Sequence, residues 1–215
     1  MERNPYTPPT SQVDGVEEKT PFDFSNTVEY SFTPKQLWWA GTCSVLGVLL
    51  TIPYFVLAFM AESKPALKFI SLATAYAMTL LSIYVYLIFK KLLIEKSHYR
   101  GASLGISLYI VASIVTVLTA PLFDSESPSN FNTILSVAQL VLYGALTIYL
   151  GVQLLRCEDA LFGQGKQIAY LTIAVGIALA SVVLVLFGIL LSLPLGIAMA
   201  KMFFSASKAL EKVQA

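Results

Sequence analysis

Residues 167–200 carry no charged side chain, and the run passes through Ile173, Val182, Leu186 and Leu191. A stretch that long and that apolar finds hydrocarbon a better solvent than water. It exceeds the ~20 residues one helix needs to cross a ~30 Å hydrocarbon core, yet it is short for two crossings. Further apolar runs cover about 36–61, 66–89, 101–123 and 131–155. Peptide groups in hydrocarbon must be satisfied within the chain, so these runs predict an all-α, polytopic transmembrane helical bundle.

Charge content points the same way. Only 13% of the chain is charged and 56% is hydrophobic, with a mean hydropathy of +0.71, whereas soluble domains carry about 25% charged residues. A net charge of +1 supplies no field to attract nucleic acid, and no basic stripe with interleaved aromatics is present. Cys43, Cys157 and the single histidine His98 make no metal-ligand spacing and no disulfide framework, so neither a metal nor another cofactor is expected.

Residues 1–33 hold Glu2, Asp14, Glu17, Glu18, Asp23 and Glu29 together with Pro5, Pro8, Pro9 and Pro21. Such a segment buries too little apolar surface to offset its ordering entropy and reads as a disordered tail. It lacks the apolar core of a signal peptide, so the first span is expected to act as its own insertion signal. Thr33 followed by Pro34 is a helix-start signal. Trp38 and Trp39 fall where indole rings favour the membrane interface, and Pro53 should bend the first helix.

Lys90, Lys91, Lys96 and Arg100 make the second connection the most basic, whereas Asp124 and Glu126 stand in a connection without Lys or Arg. The positive-inside rule then puts the tail in the cytoplasm. Two readings of the last apolar run remain. One long helix kinked at Pro194 makes five spans; a turn near residues 188–194 makes six, as three hairpins, and returns Lys201, Lys208 and Lys212 to the cytoplasm. The charge rule favours six. So does a weak internal repeat, Leu81-Ser82-Ile83-Tyr84 before Lys90 and Leu146-Thr147-Ile148-Tyr149 before Arg156. A third copy would place the returning helix at about 195–209, the bundle at 34–209 and a short cytoplasmic C-terminal tail at 210–215.

Ionisable groups are almost absent from the spans, which disfavours a proton relay or a charged-substrate pathway. Lys201 either contacts an anionic lipid or substrate group or extends its stem to the interface. Gln139, Gln153, Thr51, Thr74, Thr79, Ser82, Ser113, Thr116 and Thr147 either line a polar cavity or bond between helices and to the preceding turn. Small residues at four-residue spacing, Gly101 with Gly105, Ala73 with Ala77, Ala174 with Ala178 and Gly176 with Ala180, suit close helix packing inside the bundle or a homo-oligomer seam. No hydrolase elbow, phosphate loop or metalloprotease helix is present, so no catalytic residue is assigned.

The tail carries one compact motif, Asn4-Pro5-Tyr6-Thr7-Pro8-Pro9. Its fixed φ angles around an aromatic suit docking to a cytoplasmic or membrane protein partner. On Asn4, Pro5, Tyr6, Pro8 and Pro9 the chain resembles small, uncharacterised polytopic bacterial inner-membrane proteins that open with Asn-Pro-Tyr-x-Pro-Pro. That resemblance implies the bacterial inner membrane and brings no assigned activity. The expectation from sequence is therefore a non-enzymatic membrane protein that interacts with proteins or lipids through its tail. The alternative is a small transporter or channel for a neutral or apolar solute. A polar cavity lined by Gln139, Gln153 and the threonines would favour the alternative; a dry, closed bundle would favour the first reading.

Overall fold

The computed structural model describes residues 31–61, 65–95, 100–119, 130–157 and 161–214. They form six α-helices: α1 (Pro34–Ala61), α2 (Pro65–Glu95), α3 (Gly101–Thr119), α4 (Asn130–Leu155), α5 (Gly165–Ala180) and α6 (Val185–Gln214). Five are long and apolar enough to cross a membrane. The exception is α5, whose 16 residues rise only ~24 Å. The tail motif from Asn4 to Pro9 lies outside the described residues.

α1 starts on a reciprocal cap. Gln36 N–H donates to Thr33 Oγ1 at 3.2 Å and Thr33 N–H donates to Gln36 Oε1 at 2.9 Å. Two backbone donors are thereby satisfied at once, and Pro34 fills the first helical position, where no N–H is needed.

Each helix packs on the next in sequence, and α6 closes back on α1. The pairs run antiparallel: Gly105 faces Tyr149 and Leu150, while Thr116 further along α3 receives Gln139 from the earlier part of α4. Likewise, Ser207 near the end of α6 donates to the Pro34 carbonyl at 2.9 Å. The result is an up-and-down ring of three hairpins, α1–α2, α3–α4 and α5–α6.

The two ends of the ring differ. The largest fully buried side chains, among them Phe32, Phe89, Phe203, Leu92, Ile106, Leu150, Leu161 and Met202, belong to the starts of α1, α3 and α5, the ends of α2, α4 and α6, or the adjoining chain. Antiparallel order brings all of these to one end, where they form a packed plug. Ser31 bonds to the Glu95 carboxylate through both N–H and Oγ, and Lys90 Nζ donates to Ser107 Oγ at 2.8 Å. Leu161 and Phe162 enter the plug with φ of 45° and 58°. That backbone is unfavourable for L-residues, and the complete burial of both side chains offsets it.

Large apolar side chains cover the outside, including Phe59 at 78% exposure and Phe69 at 77%. So continuous an apolar girdle belongs against lipid rather than water.

The final apolar run is two helices, but the reversal falls at residues 181–184 rather than near 188–194. Gly188 and Pro194 lie inside α6, and Gly188 packs against Ala178 and Leu179. A turn at membrane depth needs internal partners for its N–H groups, and residues 181–184 have them. Ser181, Val182 and Val183 donate to the carbonyls of Ile177, Leu179 and Ser181, and Leu184 donates to Ser181 Oγ at 3.1 Å. Ser181 Oγ in turn donates to the Ala178 carbonyl. Ser181→Ala is expected to cost about 1 kcal/mol of stability, read as a lower unfolding midpoint in detergent micelles.

Two further boundaries shift. The returning helix starts earlier than 195 and continues through Gln214. Leu210 is buried, so residues 210–214 pack as part of α6 and form no separate tail.

Candidate functional site

Above the plug the ring encloses two adjoining chambers. The first, about 270 Å³, is lined from all six helices, with Ser44 and Thr51 from α1, Ser82 and Tyr86 from α2, Tyr109 from α3, Thr147 from α4, Val175 from α5 and Ser192 from α6. The second, about 550 Å³, adds Thr79, Ser113, Thr116, Ser136 and Gln139. Thr51, Met78, Ser82, Tyr143, Leu179, Ile189 and Ser192 line both and form the neck between them. Neither chamber is sealed.

Among the described residues, no Asp, Glu, Lys, Arg or His lines either chamber. An ion transferred into such a lining would lose its hydration without a counter-charge, which costs several kcal/mol. The lining therefore suits an uncharged occupant.

The hydroxyl groups share an orientation that follows from helix geometry. Thr51, Thr79, Ser113 and Thr147 each donate to the carbonyl four residues earlier, at 2.8 to 2.9 Å. Ser192 donates to Ile189 in the same way. Their protons are thus directed into the helix backbone while oxygen lone pairs remain as acceptors. The Ser82 hydroxyl has no partner among the described residues, which leaves a donor at the neck. Gln139 Nε2 donates to Thr116 Oγ1 at 3.0 Å and to Thr119 Oγ1 at 3.3 Å. This fixes the amide and leaves its carbonyl as a further acceptor.

Three tyrosines wall one side. Tyr109 stacks between Tyr86 and Tyr143, with ring centroids 4.5 and 4.8 Å apart, and Tyr143 Oη lies 3.3 Å from Ser113 Oγ. Local pattern does not single these tyrosines out beyond the position of two of them: Tyr109 and Tyr143 lie in span interiors, away from the interfaces where membrane tyrosines concentrate. The repeat also gains meaning here, because Ser82 and Thr147 occupy its equivalent second position and both line the first chamber.

The other sequence candidates scatter. Gln153 and Thr74 line neither chamber. Lys201 is exposed on α6 beside the plug, and Ala73, Ala77 and Gly101 are exposed as well. The pair Ala73 and Ala77 is therefore no seam inside the ring. Gly105 is buried against Tyr149, whereas Gly176 and Ala180 lie backbone to backbone against Gly144. Cys43 borders the first chamber, and no group of His, Cys, Asp or Glu among the described residues is arranged to hold a metal. No protein-family model, no curated protein and no solved structure matches the chain.

Proposed function

We propose that this chain is a non-enzymatic membrane carrier that binds a small uncharged solute inside its helical ring. The single observation that carries the reading is a chamber walled by all six helices and lined, among the described residues, by fixed hydroxyls and one amide and by no charged side chain. A protein that served only as a docking platform would gain stability from a filled interior, since unfilled core volume is destabilising. The plug at one end favours a carrier in a one-sided state over an open channel.

The basic residues Lys90, Lys91, Arg100, Arg156, Lys166, Lys208 and Lys212 belong to the plugged end, against Lys68 among the described residues of the other. Positive-inside bias supports a cytoplasmic plug and outward-facing chambers, in a bacterial inner membrane. Phe32 and the Ser31–Glu95 bonds root the N-terminal segment at the plug, which supports partner recognition by Asn4, Pro5, Tyr6, Pro8 and Pro9 from the cytoplasmic side as a separate role.

The test is a thermal-unfolding screen of the full chain in detergent, using uncharged polyols, ureas, aliphatic alcohols and aliphatic amides beside charged counterparts. At least one uncharged class is expected to raise the midpoint. Gln139→Leu is expected to weaken that binding about tenfold, the equivalent of one good hydrogen bond. Stabilisation by charged compounds alone would overturn the reading.

A further inference from the structure

We infer that the chambers are entered sideways from the bilayer, through a gap between α4 and α6 beyond the end of α5, and that the occupant is an uncharged amphiphile with one hydrogen-bond-donating head, a hydroxyl or an amide N–H, on an aliphatic tail. The inference rests on the carrier reading and specifies its ligand.

The gap follows from the length of α5. This helix ends at Ala180, whose backbone nitrogen lies against Gly144 in the middle of α4. The earlier half of α4 continues past that point with no α5 beside it, and residues 133–138 are exposed on every side of the helix. α4 and α6 do not form a packed pair, yet Gln139 and Tyr143 of α4 and Val185, Ile189 and Ser192 of α6 line the same chamber. Between these two helices the chamber wall is made by Leu179 near the end of α5 and is open beyond it.

The border of that gap is apolar. Val137 and Val141, on the side of α4 that Gly144 turns towards α5, and Leu184 and Phe187 around the start of α6 are all exposed. The turn beside them satisfies its own N–H groups, as a turn in hydrocarbon must. A solute arriving from water would have to cross this apolar border, whereas a solute dissolved in lipid meets its own solvent there.

Chemistry of the interior selects the head. Thr51, Ser113, Thr147 and Ser192 already donate to the backbone, so a ligand O–H or N–H meets oxygen lone pairs. A carboxylate or ammonium head meets no counter-charge among the described residues that line the chambers, so the lining disfavours it. The larger chamber, about 550 Å³, falls within the usual range for a site that encloses a small organic molecule. The tail extends through the gap among its apolar border residues.

The experiment uses the full chain in phosphatidylcholine nanodiscs with a diazirine-bearing hexadecanol as the probe. Illumination is expected to label chamber residues of α4 and α6, and excess hexadecanol is expected to suppress that labelling. Val137→Trp with Val141→Trp narrows the entrance and should slow chamber labelling about tenfold or more, while labelling at lipid-facing Phe69 stays unchanged. If these variants do not fold, Val141→Cys alkylated after folding, with Cys43 and Cys157 replaced by alanine, applies the same block. Chamber labelling that ignores the block, or that excess hexadecanol does not suppress, overturns lateral entry. Should glycerol or urea raise the unfolding midpoint while hexadecanol does not, lateral entry fails and the carrier reading stands. Should none of them bind, both fail.

Discussion

Gly144→Val is expected to split α4 from α5 and to lower stability by about 3 kcal/mol or more, the largest loss predicted for a single substitution in this chain. A β-carbon at Gly144 would lie 2.5 Å from Ala180 N and 2.8 Å from Gly176 O, and one at Gly176 would lie 2.7 Å from Ile148 N. These neighbours are backbone atoms, so no side-chain rotation can relieve the clash. The helices must move apart, and packing between them is a principal attraction available in lipid. Steric-trap unfolding in mixed micelles reads the loss directly. Gly47→Ala is the control: no atom lies within 4 Å of its added β-carbon, so it should be neutral or gain up to about 1 kcal/mol from helix propensity. Gly144→Ala and Gly176→Ala should each destabilise, and together cost less than their sum, because the first already opens the seam the second would open. Equal effects at Gly47 and Gly144 would refute the backbone-contact argument.

Ser82→Phe is expected to abolish solute binding, by about a hundredfold or more, without loss of stability. Ser82 stands at the neck shared by both chambers and its hydroxyl has no partner among the described residues. A phenyl ring there fills vacant volume, and filling a cavity recovers part of the cavity penalty. The expected signature is opposed: an unfolding midpoint equal to or above the parent, and a dissociation constant raised by about 2.7 kcal/mol in binding terms. Loss of stability together with retained binding would mean that the chamber is not the site. This opposition separates a functional void from a merely imperfect core, since a void kept for a ligand trades stability for activity.

The helices themselves were legible from the residues. The apolar runs, the start at Thr33 and Pro34, and the charge pattern that organises the hairpins all act locally, through helix propensity, capping and solvation. The turn at residues 181–184 was not legible, because Gly188 and Pro194 are the stronger local punctuation. Ser181 prevails because a turn in hydrocarbon is selected by how many of its own N–H groups it can satisfy, a property of three-dimensional bonding. Among the polar span residues the sequence gathered the right types. Gln139 and Thr116 meet across α3 and α4, whereas Gln153 and Thr74 face elsewhere, and only the rotation of each helix in the ring sorts them.

From its residues alone the chain is committed to helices in a bilayer, with a basic and a less basic end, since solvation and peptide hydrogen bonding leave no other arrangement for runs so apolar. Closure of α6 onto α1, the plug at one end, the vacant space at the other and the early stop of α5 beside Gly144 emerge from packing. Each depends on which side chains from distant segments meet, and no single stretch of sequence carries that information.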